Sequence, residues 1–249
     1  QRKQFMEPFV PGTQNAEEQI DFRWGKKLYR LHPRQEHCEL SQKMKSETVP
    51  SPENNCELIL ALDMGDKEEA LGLLDHLGNQ IDWVKVGLQT FTRWGPVFID
   101  EVASRGYRIF LDLKLHDISN TVASTIQSLA HHPVEMLTLH ASGGPEMISA
   151  AKNARDNSDS EAKLIAVTVL TSINDGILKT IGLQGPIAER VRALGRMAVE
   201  SGADGLVCSP LELGMLRESL GGKPLLITPG IRPAWSEAGD QKRIMTPAD

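Results

Sequence analysis

The sequence predicts an α/β barrel of the (β/α)8 type, with the eighth βα unit missing from this chain. Three observations predict it. Seven short apolar runs recur from residue 57 onward, amphipathic stretches of helical period lie between them, and polar residues gather at their C-terminal ends. The runs cover residues 58–62, 83–86, 108–113, 135–139, 164–170, 205–208 and 225–228. Hydrophobic without alternation, they suit strands buried on both faces of a parallel sheet.

The intervening segments carry the helical signal. Residues 67–77 place Ala70, Leu71, Leu74 and Leu77 on one face, and residues 187–201 do the same with Val191, Leu194, Met197 and Ala198. Gly or Pro marks most junctions, as in Ser201-Gly202-Ala203-Asp204 before the sixth run. Strands alternating with helices make either an open doubly wound sheet or a barrel. No G-x-G-x-x-G fingerprint follows the first run, where a dinucleotide-binding sheet would carry it. Asp63, Lys85, Asp112, Lys114, His140 and Thr171 stand at the ends of different runs. A TIM-type barrel brings all such ends to one rim, where its chemistry is done, so the barrel is expected. The chain stops at Thr246-Pro247-Ala248-Asp249, which reads as the opening of the helix before an eighth strand. A seven-stranded barrel leaves two unpaired edges, so a truncated chain is expected.

Composition narrows the function. With 249 residues and a formal net charge of −6, the chain does not read as a general nucleic-acid or membrane-surface binder. No apolar run approaches the roughly 20 residues needed to span a bilayer. The first residues also lack the apolar core of a secretory signal. Cys38, Cys56 and Cys208 are odd in number and irregularly spaced, against a disulfide framework or zinc cluster. A cytoplasmic protein is expected. Residues 1–55 form a separate polar segment, read as a disordered tail or non-native upstream stretch ahead of a barrel domain over 56–249. Within it, Phe22-Arg23-Trp24-Gly25-Lys26-Lys27 alone has an aromatic-basic character. A start at Met44 would leave a short polar leader before the first strand and place residues 1–43 upstream of it.

The strongest chemical signal is Leu111-Asp112-Leu113-Lys114-Leu115-His116-Asp117. Residues i and i+2 of a strand face the same way, so Asp112 and Lys114 are expected to project together toward the rim. Charges alternating at the end of an apolar strand are costly unless they neutralise one another, which implies a paired network. Asp117 follows where the strand gives way to a loop, and Lys85, ending the neighbouring run, is the obvious fourth member of that network. Taken alone, D-x-K-x-x-D also fits a structural ion-pair network. His116, His131, His132 and His140 lack the spacing of a metal site, and no metal is expected.

Residues 111–121, reading LDLKLHDISNT, are similar to the signature of orotidine 5′-monophosphate decarboxylases. So are Ala61-Leu62-Asp63, Val84-Lys85-Val86-Gly87, His140-Ala141-Ser142-Gly143-Gly144, Val169-Leu170-Thr171-Ser172 and Thr228-Pro229-Gly230-Ile231-Arg232-Pro233, followed by Gly239-Asp240-Gln241-Lys242-Arg243. The likeness runs in order from about residue 57 to the end. It implies decarboxylation of orotidine 5′-monophosphate to UMP in pyrimidine biosynthesis, without cofactor. The implied catalytic set is Lys114, Asp112, Asp117 and Lys85. Lys114 would protonate the C6 carbanion, and Asp112 would sit near the departing carboxylate. The resemblance also implies that Asp63 and Lys85 bind the ribose hydroxyls and that Thr171, or Ser172 beside it, meets the pyrimidine. Arg232 and Gln241 would close over the phosphate. Asp117 and Thr121 would reach the active site of a partner subunit, which implies a homodimer with shared sites, and Ile118 between them is implied as a substrate-binding residue.

Departures from the family pattern bear on activity. Ser119 stands where the family usually has Pro, and the Gly-Arg pair of an eighth strand is absent. Binding energy from the remote phosphate is used to lower the barrier at the reacting carbon. The chain as written is therefore expected to be inactive or impaired, and its full-length parent active. Two other functions share the pattern. One is a magnesium-dependent sugar-phosphate decarboxylase or synthase on the same barrel, such as a 3-keto-gulonate-phosphate decarboxylase or a hexulose-phosphate synthase. The other is an inactive phosphate-binding remnant.

Overall fold

The computed structural model describes residues 20–24, 27–31, 56–231 and 245–246. The chain divides into two compact units, Gln1–Asn55 and Cys56–Asp249. In the first, β1 (Ile20–Trp24) pairs antiparallel with β2 (Lys27–Leu31), from Ile20↔Leu31 to Trp24↔Lys27. The sequence reading passed over this ribbon, although Ile20, Phe22 and Trp24 alternate with Asp21 and Arg23 at strand period. The remainder of that segment, including the expected start at Met44, lies outside the described residues.

Seven strands build the second unit: β3 (Ile59–Ala61), β4 (Trp83–Gly87), β5 (Arg108–Leu115), β6 (Val134–His140), β7 (Lys163–Val167), β8 (Gly205–Val207) and β9 (Leu225–Ile227). They lie side by side in chain order, and every neighbouring pair is parallel. Between them run α1 (Lys67–Leu77), α2 (Leu88–Trp94), α3 (Pro96–Ala103), α4 (Ser119–Leu129), α5 (Gly144–Asp156), α6 (Asp175–Thr180), α7 (Ile187–Glu200) and α8 (Leu213–Leu220). Side-chain caps fix two of these starts. Asp66 accepts from the Glu69 N–H at the head of α1, and Asn174 accepts from Ile177 at the head of α6.

The two faces of the sheet differ, and the difference separates a barrel from a doubly wound sheet. One core contains most of the buried apolar residues of the helices together with Val84, Val86, Ile109, Leu111, Leu137, Leu139, Leu164 and Leu206 from the strands. The other is narrow and built from strands alone: Trp83, Phe110, Met136 and Ile165, with Ile59, Val207 and Ile227 packed against them. Each of the seven strands gives that inner cluster one residue, and no helix gives any. Helices on a single face of a parallel sheet are what a curled barrel wall produces; a doubly wound sheet carries them on both. The sheet ends at β3 and β9, so among the described residues the eighth strand is missing.

The N-terminal rim is closed by an ion and ring cluster. Arg108 stacks 4.0 Å over the Trp83 ring and pairs with Glu135 at 2.7 Å, while the Trp83 indole N–H donates to Glu57 at 3.2 Å. That leaves the opposite rim for chemistry.

Where β8 meets β9 the backbones approach closely. A Cβ added at Gly205 would lie 2.7 Å from both the Cβ and the carbonyl oxygen of Leu225, which cannot yield without moving a strand. Gly205→Ala is therefore expected to lower stability by about 1–3 kcal/mol in urea denaturation. An unchanged midpoint would contradict this packing.

Candidate active site

The C-terminal end of β5 is irregular, and the irregularity makes the site. Leu111 pairs with Leu137 and Leu115 pairs with Leu139, so Asp112, Leu113 and Lys114 face the single residue Thr138 on β6. Lys114 takes up the excess length in a left-handed conformation, φ +52, the only non-glycine with positive φ among the described residues. Such backbone costs on the order of 1–3 kcal/mol and persists only where the surroundings impose it. The strand expectation is corrected in this respect. Asp112 and Lys114 do meet, but across a bulge and not as the i, i+2 neighbours of a regular strand.

Around this bulge four charged side chains form an alternating series. Lys114 Nζ lies 2.7 Å from Asp112 Oδ2, and Lys85 Nζ lies 3.7 Å from the same oxygen. Lys85 continues to Asp63, whose two carboxylate oxygens are 3.1 and 3.3 Å away. Two acids and two lysines leave the series neutral, which is what makes burial of Asp112 tolerable; its side chain is 12% exposed. Gly87, ending β4, leaves room for the pair. A Cβ there would come within 2.6 Å of Asp63 Oδ1 and 3.0 Å of Lys85 Nζ.

The other residues expected at the site divide into three groups. Thr171 is buried, beyond the end of β7, and Ser172 beside it is exposed. Asp117 and Ile118 are exposed on the segment leading into α4, and Thr121 is exposed in its first turn; the Asp117 carboxylate accepts from the Ile118 N–H at 2.7 Å. No ion pair joins Asp117 to the alternating series among the described residues. A hollow of about 390 Å³ opens beside them, lined by residues that include His116, Asp117, Ser142 and Glu146. Arg232 and Gln241 lie outside the described residues.

Sequence reasoning missed Thr138 and the surroundings of His140. Thr138 is fully buried; its hydroxyl accepts from the Lys114 N–H at 2.8 Å and donates to Asp112 Oδ1 at 2.9 Å. The available signal was a hydroxyl inside the apolar run Met136-Leu137-Thr138-Leu139. His140, ending β6, has its ring 5.2 Å from that of His116. Burial holds its pKa below the usual histidine range, and His116 and Lys114 lower it further. His132 pairs with Asp100 at 3.1 Å, and no three potential metal ligands cluster among the described residues. No described helix is long and apolar enough to cross a membrane.

Fold and site together define a barrel enzyme of the (β/α)8 class, with a lysine and its partner acids at the C-terminal rim. The chain belongs to the orotidine 5′-phosphate decarboxylase / HUMPS family, whose model matches residues 57–249. It is 47% identical over 194 residues to the orotidine 5′-phosphate decarboxylase of Opitutus terrae, spanning 78% of this chain and 84% of that one. The corresponding protein of Shewanella sediminis is 47% identical over 195 residues, 78% of this chain and 83% of its own. Among solved structures, orotidine 5′-phosphate decarboxylase from Lactobacillus acidophilus superposes with a TM-score of 0.67 at 43% identity, covering 72% of this chain and 82% of that one.

The lowered His140 pKa has a consequence for stability. Below the ordinary pKa of about 6.5 the unfolded chain binds this proton more readily than the folded one. Its contribution is therefore complete above that pH and declines as pH falls toward the folded value. Urea midpoints measured at about pH 7 and about pH 5 are expected to fall less for His140→Gln than for the unsubstituted chain. Equal falls would remove His140 from the acid response.

Proposed function

We propose that this protein decarboxylates orotidine 5′-monophosphate to UMP in de novo pyrimidine biosynthesis, with Lys114 as the proton donor. The observation that carries the reading is the Lys114 ammonium 2.7 Å from Asp112 in a neutral acid-lysine series at the barrel rim. In the reaction the C6–carboxylate bond breaks, carbon dioxide departs, and the electron pair stays on C6. No adjacent carbonyl delocalises that charge, so the protein must supply electrostatics that match the transition state better than the bound substrate. Lys114 Nζ stabilises the developing anion, gives it a proton, and recovers one from solvent. Asp112 stands beside the carboxylate that leaves and favours its departure.

The remaining assignments follow from the same reading. Asp63 and Lys85, already bonded to each other, hold the ribose hydroxyls, and Thr171 or Ser172 meets the pyrimidine. Arg232 offers a planar cationic fork to the phosphate, and Gln241 joins it. Asp117, Ile118 and Thr121 serve the site of a second copy in a homodimer; their exposure here, 71% for Ile118, supports that role. The chemistry calls for no metal or organic cofactor, and the protein works in the cytoplasm.

Activity is measured as loss of substrate absorbance in the full-length natural protein, with and without excess chelator. Turnover is expected to survive chelation and to fall roughly 10²–10⁴-fold or more in Lys114→Ala. Equal rates in that variant would remove Lys114 from its role. Loss of turnover in chelator would favour a magnesium-dependent reaction.

A further inference from the structure

We infer that Thr138 is a positioning residue for the reacting pair, fixing at once the Asp112 carboxylate and the backbone from which Lys114 projects. The inference rests on the reading of Lys114 as proton donor and goes beyond it. A threonine hydroxyl has one proton to give. The Lys114 backbone N–H can only donate, so at 2.8 Å it occupies Thr138 Oγ1 as an acceptor. The hydroxyl proton is then directed to Asp112 Oδ1, 2.9 Å away. One atom thus ties the two members of the pair to each other and to β6.

The consequences differ for each partner. With Oδ1 held, the Asp112 carboxylate cannot turn freely, and Oδ2 is kept toward Lys114 at 2.7 Å and Lys85 at 3.7 Å. For Lys114, the bond satisfies an amide that the bulge has withdrawn from the regular ladder, between the Leu111↔Leu137 and Leu115↔Leu139 pairings. That bond holds the left-handed turn, φ +52, that aims the side chain. Because Thr138 is 0% exposed, water is poorly placed to replace the hydroxyl if it is removed. Thr138 lies behind Asp112, so its loss should disturb the reacting geometry and leave ground-state binding largely intact.

Serine and alanine at this position differ essentially by the hydroxyl alone, so they isolate it. In the full-length natural protein, Thr138→Ala is expected to lower kcat by about 10- to 100-fold while KM stays within about threefold. Thr138→Ser should remain within about threefold of the unsubstituted kcat, since it keeps both hydrogen bonds. Thr138→Val, which refills the vacated space, should behave as Ala does if the hydroxyl is the cause; thermal melting confirms that each variant is folded. Equal kcat for Ser and Ala, or an unchanged kcat in Val, would overturn the inference. A second readout needs no substrate: the Lys114 amide should exchange slowly with solvent in the Thr and Ser forms and faster in Ala and Val. Uniformly slow exchange would also overturn it. Absence of orotidine monophosphate turnover in the unsubstituted protein would instead sink the functional reading, with the exchange comparison still deciding the geometry.

Discussion

A single carboxylate, that of Asp112, answers to two ammonium groups and one hydroxyl, and the site is organised around that sharing. Oδ2 faces Lys114 and Lys85, and Oδ1 accepts from Thr138. An acid this buried would be costly alone. Surrounded in this way it becomes the fixed point from which the lysine beside it is aimed. Lys85 passes the compensation on to Asp63, so the series is neutral, with its two ends, Asp63 and Lys114, open to solvent. Preorganised charge of this kind is what a reaction with an unstabilised carbon anion requires, since no reorganisation is then needed as the charge develops.

The barrel wall explains how such a series is assembled from distant parts of the chain. Parallel strands in sequential register bring Asp63, Lys85 and Asp112 from three consecutive units to one rim. The opposite rim carries the Trp83, Arg108, Glu57 and Glu135 cluster, which packs and pairs but offers no comparable lysine-acid series. Between the two rims lies the inner cluster of one apolar residue per strand. Packed side chains thus occupy one end and the middle, and the strained backbone of Lys114 sits at the other end. Strain is tolerated there because Thr138 and the β6 ladder determine the conformation.

Much of this was legible in the sequence, for identifiable reasons. Strands buried on both faces leave unbroken apolar runs, so all seven were placed to within a few residues, although β7 ends at Val167 and not at Leu170. Helix α1 follows from its apolar face, and its bounds match the expectation. Lys85, Asp112 and Lys114 were expected together because charge at the end of an apolar strand is rare enough to notice, but Asp63 takes the place in the series expected for Asp117. The bulge was not legible, because register is a relation between two strands and β5 alone does not show how β6 is offset. Thr138 escaped for the same reason: a threonine is ordinary in a strand until its partners are known. The lowered His140 pKa needs burial and a neighbouring ring, neither visible in a one-dimensional pattern. The β1–β2 ribbon was within reach, since its alternation is plain, but the polar composition around it masked the period.

The proposed chemistry requires the Lys114 ammonium to face the carbon that loses its carboxylate. A crystal structure of the full-length natural protein with UMP bound tests this most directly. Lys114 Nζ is expected about 3–3.5 Å from C6 of the pyrimidine, with Asp112 on the side from which the carboxylate has gone. An ammonium turned away from the ring, with the nucleotide held elsewhere on the barrel, would contradict it.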